Sequence, residues 1–451
     1  MKFLNINKFT RAGLILLIGM IGLVTSCKKG YFYDGVNDDP SQLKNPIPSS
    51  LLPGIIQSTG YVWGGDASRF TSIFMQQTTG AANQSVSANR YSVSGDDVDN
   101  MWTAGLYGGG IMNNIYAMIN TANTLNQGHY AAVAKIMMAN NLGLATDLWG
   151  DVPYSEAFRG LGNLQPKYDT QQQIYTAIDK LLTDAIASLA TSDGSQFQPG
   201  AEDMMFKGDL AKWGRFAHAL RAKFFLHLAK SDKSYYDKAL LEVPMGFLPG
   251  ETASVLYAGT SLPTQSPWFQ FNDQRGDIAF TGYIYDTMDA AGDPRLAAYS
   301  DGEEGLGTLY GSPSSPVVMM SYDELKFIEA ECQFQKVAQN KAGAATAYNA
   351  AVTANLTRTI NDPSYAATVA KTAANITLTD IMSQKYIALF LNPEVWTDWR
   401  RTGIPALTAP AGSALGGALP RSLLYPSGEQ RNNTNAPRNT SMLKRVWWDV
   451  P

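Results

Sequence analysis

The longest uninterrupted apolar stretch in this chain, Ala12 to Val24, decides where the remainder has to fold. It is about a dozen residues, and a membrane-crossing helix needs roughly 20. Behind Lys2, Lys8 and Arg11 it reads instead as the core of a signal peptide over residues 1–26. No later segment holds about 18 uninterrupted apolar residues, so the body must bury its apolar side chains against one another in water. The stretch stops at Val24-Thr25-Ser26-Cys27, with a small residue before a cysteine. That is the pattern of a bacterial lipobox, in which the thiol takes lipid and becomes the new N-terminus. Each buried methylene contributes about 0.8 kcal/mol, and more than one acyl chain makes the attachment stable. The expectation is a water-soluble body, 27–451, moored to a membrane at Cys27.

A body of this length can bury a large core, and two or three domains are only a soft expectation from length. Of 35 basic residues three lie before Cys27, leaving 32 against 39 acidic, a net charge of −7. Nucleic acid as a partner requires a basic footprint, so that class is excluded. Charged residues make up 16% of the chain and aromatics 11%, which predicts a surface suited to neutral polar ligands. With Cys27 lipidated, Cys332 has no partner for a disulfide. It falls in an apolar helical pattern, so a buried, inert thiol is expected.

Residues 28–48 read as a tether and an extended lead-in. From about 50 to 240 the apolar spacing is helical. Leu51 to Thr79 reads as two helices separated by Gly60 to Asp66, and Asp96 to Leu125 as one helix weakened at Gly108-Gly109-Gly110. Ala131 to Leu148 is a further helix. Thr170 and Gln173 have the spacing of a capping box, and Asp209 is placed to cap the helix carrying Trp213, Leu220 and Phe224. Residues 244–320 are rich in Pro, Gly, Ser and Tyr and predict loops. Helices resume from 321, where Ser321 and Glu324 again have capping-box spacing, and run to about 402, with Pro393 placed to start the last of them. The fold class is mainly α, a solenoid or a bundle, with no fixed-period repeat evident.

Catalytic signatures are scarce. The histidines are His129, His218 and His227, with no HExxH pair for zinc, no GxSxG elbow and no phosphate loop. Adjacent acids such as Asp96-Asp97 and Glu303-Glu304 read as caps or solvated turns. No catalytic residue, metal ligand or cofactor is assigned, and the sequence does not indicate calcium. The nine tryptophans and 22 tyrosines carry more information. An aromatic face stacks on the C–H side of a sugar ring while nearby amides and carboxylates bind its hydroxyls, as in a pocket with a few polar groups in apolar walls. Trp63 and Tyr61 sit in a glycine-rich break, Tyr61-Val62-Trp63-Gly64-Gly65-Asp66, and Trp102, Trp268 and Tyr310 also lie at or near breaks. These five are the candidate ligand-binding residues.

Several blocks, in order, carry a resemblance to the SusD/RagB family of nutrient-binding outer-membrane lipoproteins of Bacteroidetes. They include Gly150-Asp151-Val152-Pro153-Tyr154, Pro166-Lys167-Tyr168-Asp169, Gly208-Asp209 with Trp213, and Ser266-Pro267-Trp268-Phe269. Further along come Asp293-Pro294-Arg295-Leu296, the helix Ser321 to Glu331, Trp399-Arg400-Arg401-Thr402-Gly403, Tyr425-Pro426 and Val446-Trp447-Trp448-Asp449. The resemblance implies tetratricopeptide-like helix pairs forming an α–α superhelix, with the helical scaffold over about 50–240 and 321–402. The loop-rich region, about 244–320, would then serve ligand binding. It also implies a lipid-anchored place in the outer membrane facing the exterior, a glycan or other nutrient as ligand, and a TonB-dependent, SusC-like transporter as partner. The motif blocks resemble scaffold rather than ligand contacts. In one respect the chain departs from that family's pattern: Lys28-Lys29-Gly30 follows the cysteine where surface lipoproteins of the lineage often carry acids. A lipoprotein glycoside hydrolase and a helical scaffold for protein partners are the rival readings.

Overall fold

The computed structural model describes residues 46–451. The signal peptide, Cys27 and nearly all of the 28–48 lead-in lie outside the described residues. Helices dominate, as the apolar spacing predicts. The principal ones are α1 (Pro48–Val62), α2 (Ser68–Phe74), α3 (Asn83–Asn89), α4 (Ile111–Thr124), α5 (Gly128–Trp149), α6 (Gln171–Leu189), α7 (Leu210–Leu228) and α8 (Ser234–Glu242). After the loop-rich stretch and its helix α9 (Pro267–Gln274) come α10 (Tyr322–Gln335), α11 (Lys341–Ile360), α12 (Leu378–Ala388) and α13 (Glu394–Thr402). Consecutive helices pack as pairs, α5 with α6 and α10 with α11 most extensively. Among the described residues no helix is long and apolar enough to cross a membrane.

Helix α5 is buried on nearly every side, the signature of a helix enclosed by its neighbours rather than laid on a surface. Gly143 in its middle is pressed by the Phe224 ring of α7, so a side chain there would force the two helices apart. The caps form where the spacing places them. Thr170 and Gln173 close a full capping box on α6, and Asp209 accepts from the Lys212 N–H at 3.0 Å. Ser321 accepts from the Glu324 N–H at 3.3 Å, but the box predicted there stays half made. Glu324 is fully buried and its carboxylate faces Lys223 at 2.7 Å instead.

Two breaks differ from the sequence reading. The helix from Pro48 does not stop at Gly60; it runs into a π-helical turn, Trp63–Ala67, that delivers the chain directly to α2. Gly65 absorbs the kink with a non-helical backbone (φ −97, ψ −118). A second π-helical turn, Met101–Leu106, replaces the first half of the helix expected from Asp96, and regular helix begins only after Gly108-Gly109-Gly110, at Ile111. Extra residues inserted in a helix in this way recur at functional sites. Pro393 stands just before α13 rather than as its first residue. Among the described residues four short strands form two antiparallel pairs that tie the loop-rich region to the helices, β1 (Thr79–Gly80) with β3 (Ile278–Ala279) and β2 (Thr252–Val255) with β4 (Val317–Ser321). They pin that region to the ends of α2 and α10.

The interior is unusually ionic. Arg401 forks onto Glu331 at 2.7 and 3.0 Å and also meets Asp398, which takes the Lys385 ammonium at 2.8 Å. His227, fully buried, lies between Glu394 (2.7 Å) and Asp147 (3.4 Å). Arg400 donates to the carbonyls of Asp147 and Arg421 at 2.7 and 2.9 Å. Its guanidinium lies over the Trp396 and Trp448 rings at 4.2 and 4.7 Å. The Arg400-Arg401-Thr402-Gly403 block is therefore scaffold, with Gly403 ending α13 in the left-handed conformation (φ 70). Cys332 is buried as expected, and burial raises its thiol pKa well above the ordinary value. His129 and His218 are tied to Gln198 and Glu242, in keeping with structural roles.

Candidate functional site

The first π-helical turn builds a surface pocket. It aims Asp66 outward and starts α2 so that Arg69, one turn later, pairs with Asp66. Across the gap α9 presents Gln270, Phe271 and Gln274, spaced i, i+1 and i+4 behind its Pro267 start. The Arg69 guanidinium lies 4.3 Å above the Phe271 ring, and Arg275 reaches the same ring at 6.0 Å. Tyr61, 52% exposed on the last turn of α1, stands at the rim with Gln84 and Asn100. The floor is apolar, formed by Phe70, Ile73, Ala88 and Ile278. The cavity measures about 260 Å³. Its two acids, Asp66 and Asp97, balance Arg69 and Arg275, and Asp97 is occupied by the Ser94 N–H and hydroxyl at 2.8 and 2.6 Å. An apolar floor, a ring of side-chain amides and no net charge suit a neutral polyhydroxylated ligand.

Of the five aromatic candidates the pocket gathers only Tyr61. Trp63, Trp102 and Trp268, expected as open stacking faces, are 4, 3 and 3% exposed and belong to the core. Each is spent on packing. Trp102 stacks on Tyr107 at 4.4 Å and meets Trp149 edge-on. Trp268 donates its indole N–H to the Ser68 hydroxyl at 2.9 Å. Trp63 points inward from the π turn, so the same kink that exposes Asp66 buries the indole. Tyr310 is half-buried and packed edge-on to Tyr299 and Phe390 at 5.1 and 5.0 Å. With Trp63 and Trp268 it lines a void of about 40 Å³, too small for a sugar ring. Arg69, Gln270, Phe271 and Arg275 were missed. The usable signal was Pro267 opening a short helix, which places Gln270, Phe271 and Gln274 on one side of it.

The SusD-like family model, described as starch-binding associating with the outer membrane, matches residues 40–314 and 304–426. The chain belongs to the SusD-like family. Solved SusD-like structures share its architecture over almost their whole length. A SusD/RagB family protein from Bacteroides thetaiotaomicron VPI-5482 is 24% identical with a TM-score of 0.73, covering 90% of this chain and 99% of that one. A chitin-binding SusD homolog from Flavobacterium johnsoniae is 22% identical with a TM-score of 0.72, covering 89% and 98%. A chain described as a chitin-binding protein is also 22% identical, with a TM-score of 0.74, covering 90% and 100%. At these identities the structures establish the fold. No curated protein matches the chain. SusD-like membership confirms the helical class and the outer-membrane association.

Proposed function

We propose that this SusD-like chain captures a glycan in the pocket between Tyr61, Arg69 and Phe271 and hands it, uncleaved, to a TonB-dependent, SusC-like transporter. The observation that carries this reading is the pocket: open, charge-balanced, apolar at its floor and ringed by side-chain amides. Asp66 is held by Arg69 and Asp97 by Ser94, so both carboxylates serve the walls rather than proton transfer. Family description and relatives offer two glycan classes as first probes, starch-type glucans and chitin-type N-acetylglucosamine chains. Calorimetric titration with maltoheptaose and chitohexaose tests it. Arg69→Ala frees Asp66 and uncovers Phe271, and is expected to weaken binding at least about tenfold, roughly 1.4 kcal/mol. Equal affinity in Arg69→Ala and Tyr61→Ala, both shown folded, would place the ligand elsewhere.

The same reading puts lipid on Cys27 and a β-barrel beside the protein. In membranes of the native cell, Cys27→Ser is expected to move the protein to the soluble fraction, and the unaltered chain to co-purify with a barrel transporter. A membrane-bound serine variant removes the anchor; a chain that purifies alone removes the partner.

A further inference from the structure

The nine tryptophans divide unevenly. Eight are at most 7% exposed, while Trp447 is 45% exposed. Its neighbour Trp448 lies under Arg400 and donates its indole N–H to Asp147 at 2.9 Å. The closing Val446-Trp447-Trp448-Asp449 thus sends one indole into the core and leaves the next in water. Leaving apolar area exposed forgoes about 25 cal/mol per Å², so a lone exposed indole among eight buried ones calls for a use.

Trp447 stands at a groove of about 260 Å³ between α6 and α7, its ring 6.3 Å from that of Tyr175. The floor is apolar, formed by Ile178, Leu182 and Leu228. Gln172 and Thr176 are exposed at its edge, and Arg221 pairs with Asp179 there at 2.9 Å. An apolar floor with polar side chains at its edge suits a ring-sized ligand that has an apolar face and polar edges.

We propose that this groove is a second carbohydrate site, in which a sugar ring lies against Trp447 and its hydroxyls hydrogen-bond to Gln172, Thr176 and the Arg221–Asp179 pair. It rests on the reading that the ligand is a glycan, yet shares no residue with the Tyr61 pocket. Two sites on one body let a long polysaccharide engage twice, which raises retention beyond either affinity alone.

Acrylamide quenching of the folded chain, residues 27–451, with maltoheptaose or chitohexaose is the test, because the exposed indole dominates the quenchable signal. In Arg69→Ala, where the first pocket is weakened, either sugar is expected still to protect Trp447. Gln172→Ala is expected to lose that protection while calorimetry shows the first pocket intact, and both Gln172→Ala and Trp447→Ala are expected to lower retention on the polysaccharide at least about threefold. Protection that vanishes in Arg69→Ala or persists unchanged in Gln172→Ala, or retention unchanged in Trp447→Ala, overturns the second site and spares the first. Unaltered sugar binding with lost transporter co-purification in Trp447→Ala makes the groove a protein interface and also overturns it. No quenching response alongside calorimetric binding in the unaltered chain removes the second site alone, and no response in either measurement removes both.

Discussion

Arg401→Ala is expected to cost about 3–5 kcal/mol of folding stability, a large share of the roughly 5–15 kcal/mol a domain typically has. The loss comes from what the arginine leaves behind. Glu331 is fully buried and receives both arms of the Arg401 fork. Without it that carboxylate keeps the cost of having left water and loses its nearest positive charge. Asp398 is less exposed to the change because Lys385 still reaches it at 2.8 Å. A lysine at 401 restores charge but not the fork, so Arg401→Lys should fall between the two. Urea unfolding monitored by circular dichroism measures all three, and a loss under about 1 kcal/mol in the alanine variant would mean the cluster is better relaxed than its geometry implies.

Stability should also fall steeply in mild alkali, and His227 is the main cause. Burial opposes its charge, but Glu394 and Asp147 on either side outweigh burial and lift its pKa from 6.5 to about 9. A group that binds its proton more tightly when folded stabilises the protonated form. The full contribution is therefore present below pH 6.5 and is lost as the pH rises through 9. The shift corresponds to about 3 kcal/mol across that window. Glu324 adds to the trend at lower pH. Burial raises its carboxyl from 4.5 to about 7 against the pull of Lys223, so its contribution declines as pH climbs between those values. Urea midpoints at intervals from pH 6 to 9.5 should trace the decline, and His227→Asn should flatten its alkaline limb. A flat profile in the unaltered chain would mean the imidazole is neutral already.

Much of the scaffold could be read from sequence because caps and apolar spacing are local signals. Thr170 with Gln173, and Asp209 with Lys212, act within one helical turn, and their hydrogen bonds form as spacing dictates. Glu324 fails that reading for a non-local reason: Lys223, about a hundred positions earlier, competes for its carboxylate and wins. The pocket was half legible. The Gly64-Gly65-Asp66 break marked the right place, and Tyr61 is part of it. Local pattern does not say which side of a kink faces water, so the glycine-rich break predicts a surface ring at Trp63 where the π turn rotates it inward. Trp268 misled in the same way, since Pro267 set the start of α9 but not which of its side chains, Trp268 or Phe271, would face the gap. Residues 244–320 do form loops with short helices, yet they supply only six of the sixteen residues that line the pocket.

The Val446–Asp449 segment carries a consequence for the order in which the scaffold can close. Trp448 covers Arg400 and binds Asp147, and the Val450 carbonyl accepts from Lys230 at 2.7 Å. Asp147 on α5, Arg400 on α13, His227 on α7 and Trp448 thus meet in one buried seam, although 301 positions separate Asp147 from Trp448. A seam closed by partners so distant along the chain orders only once the helices around it are in place, so its formation reports the finished scaffold rather than any single helix pair.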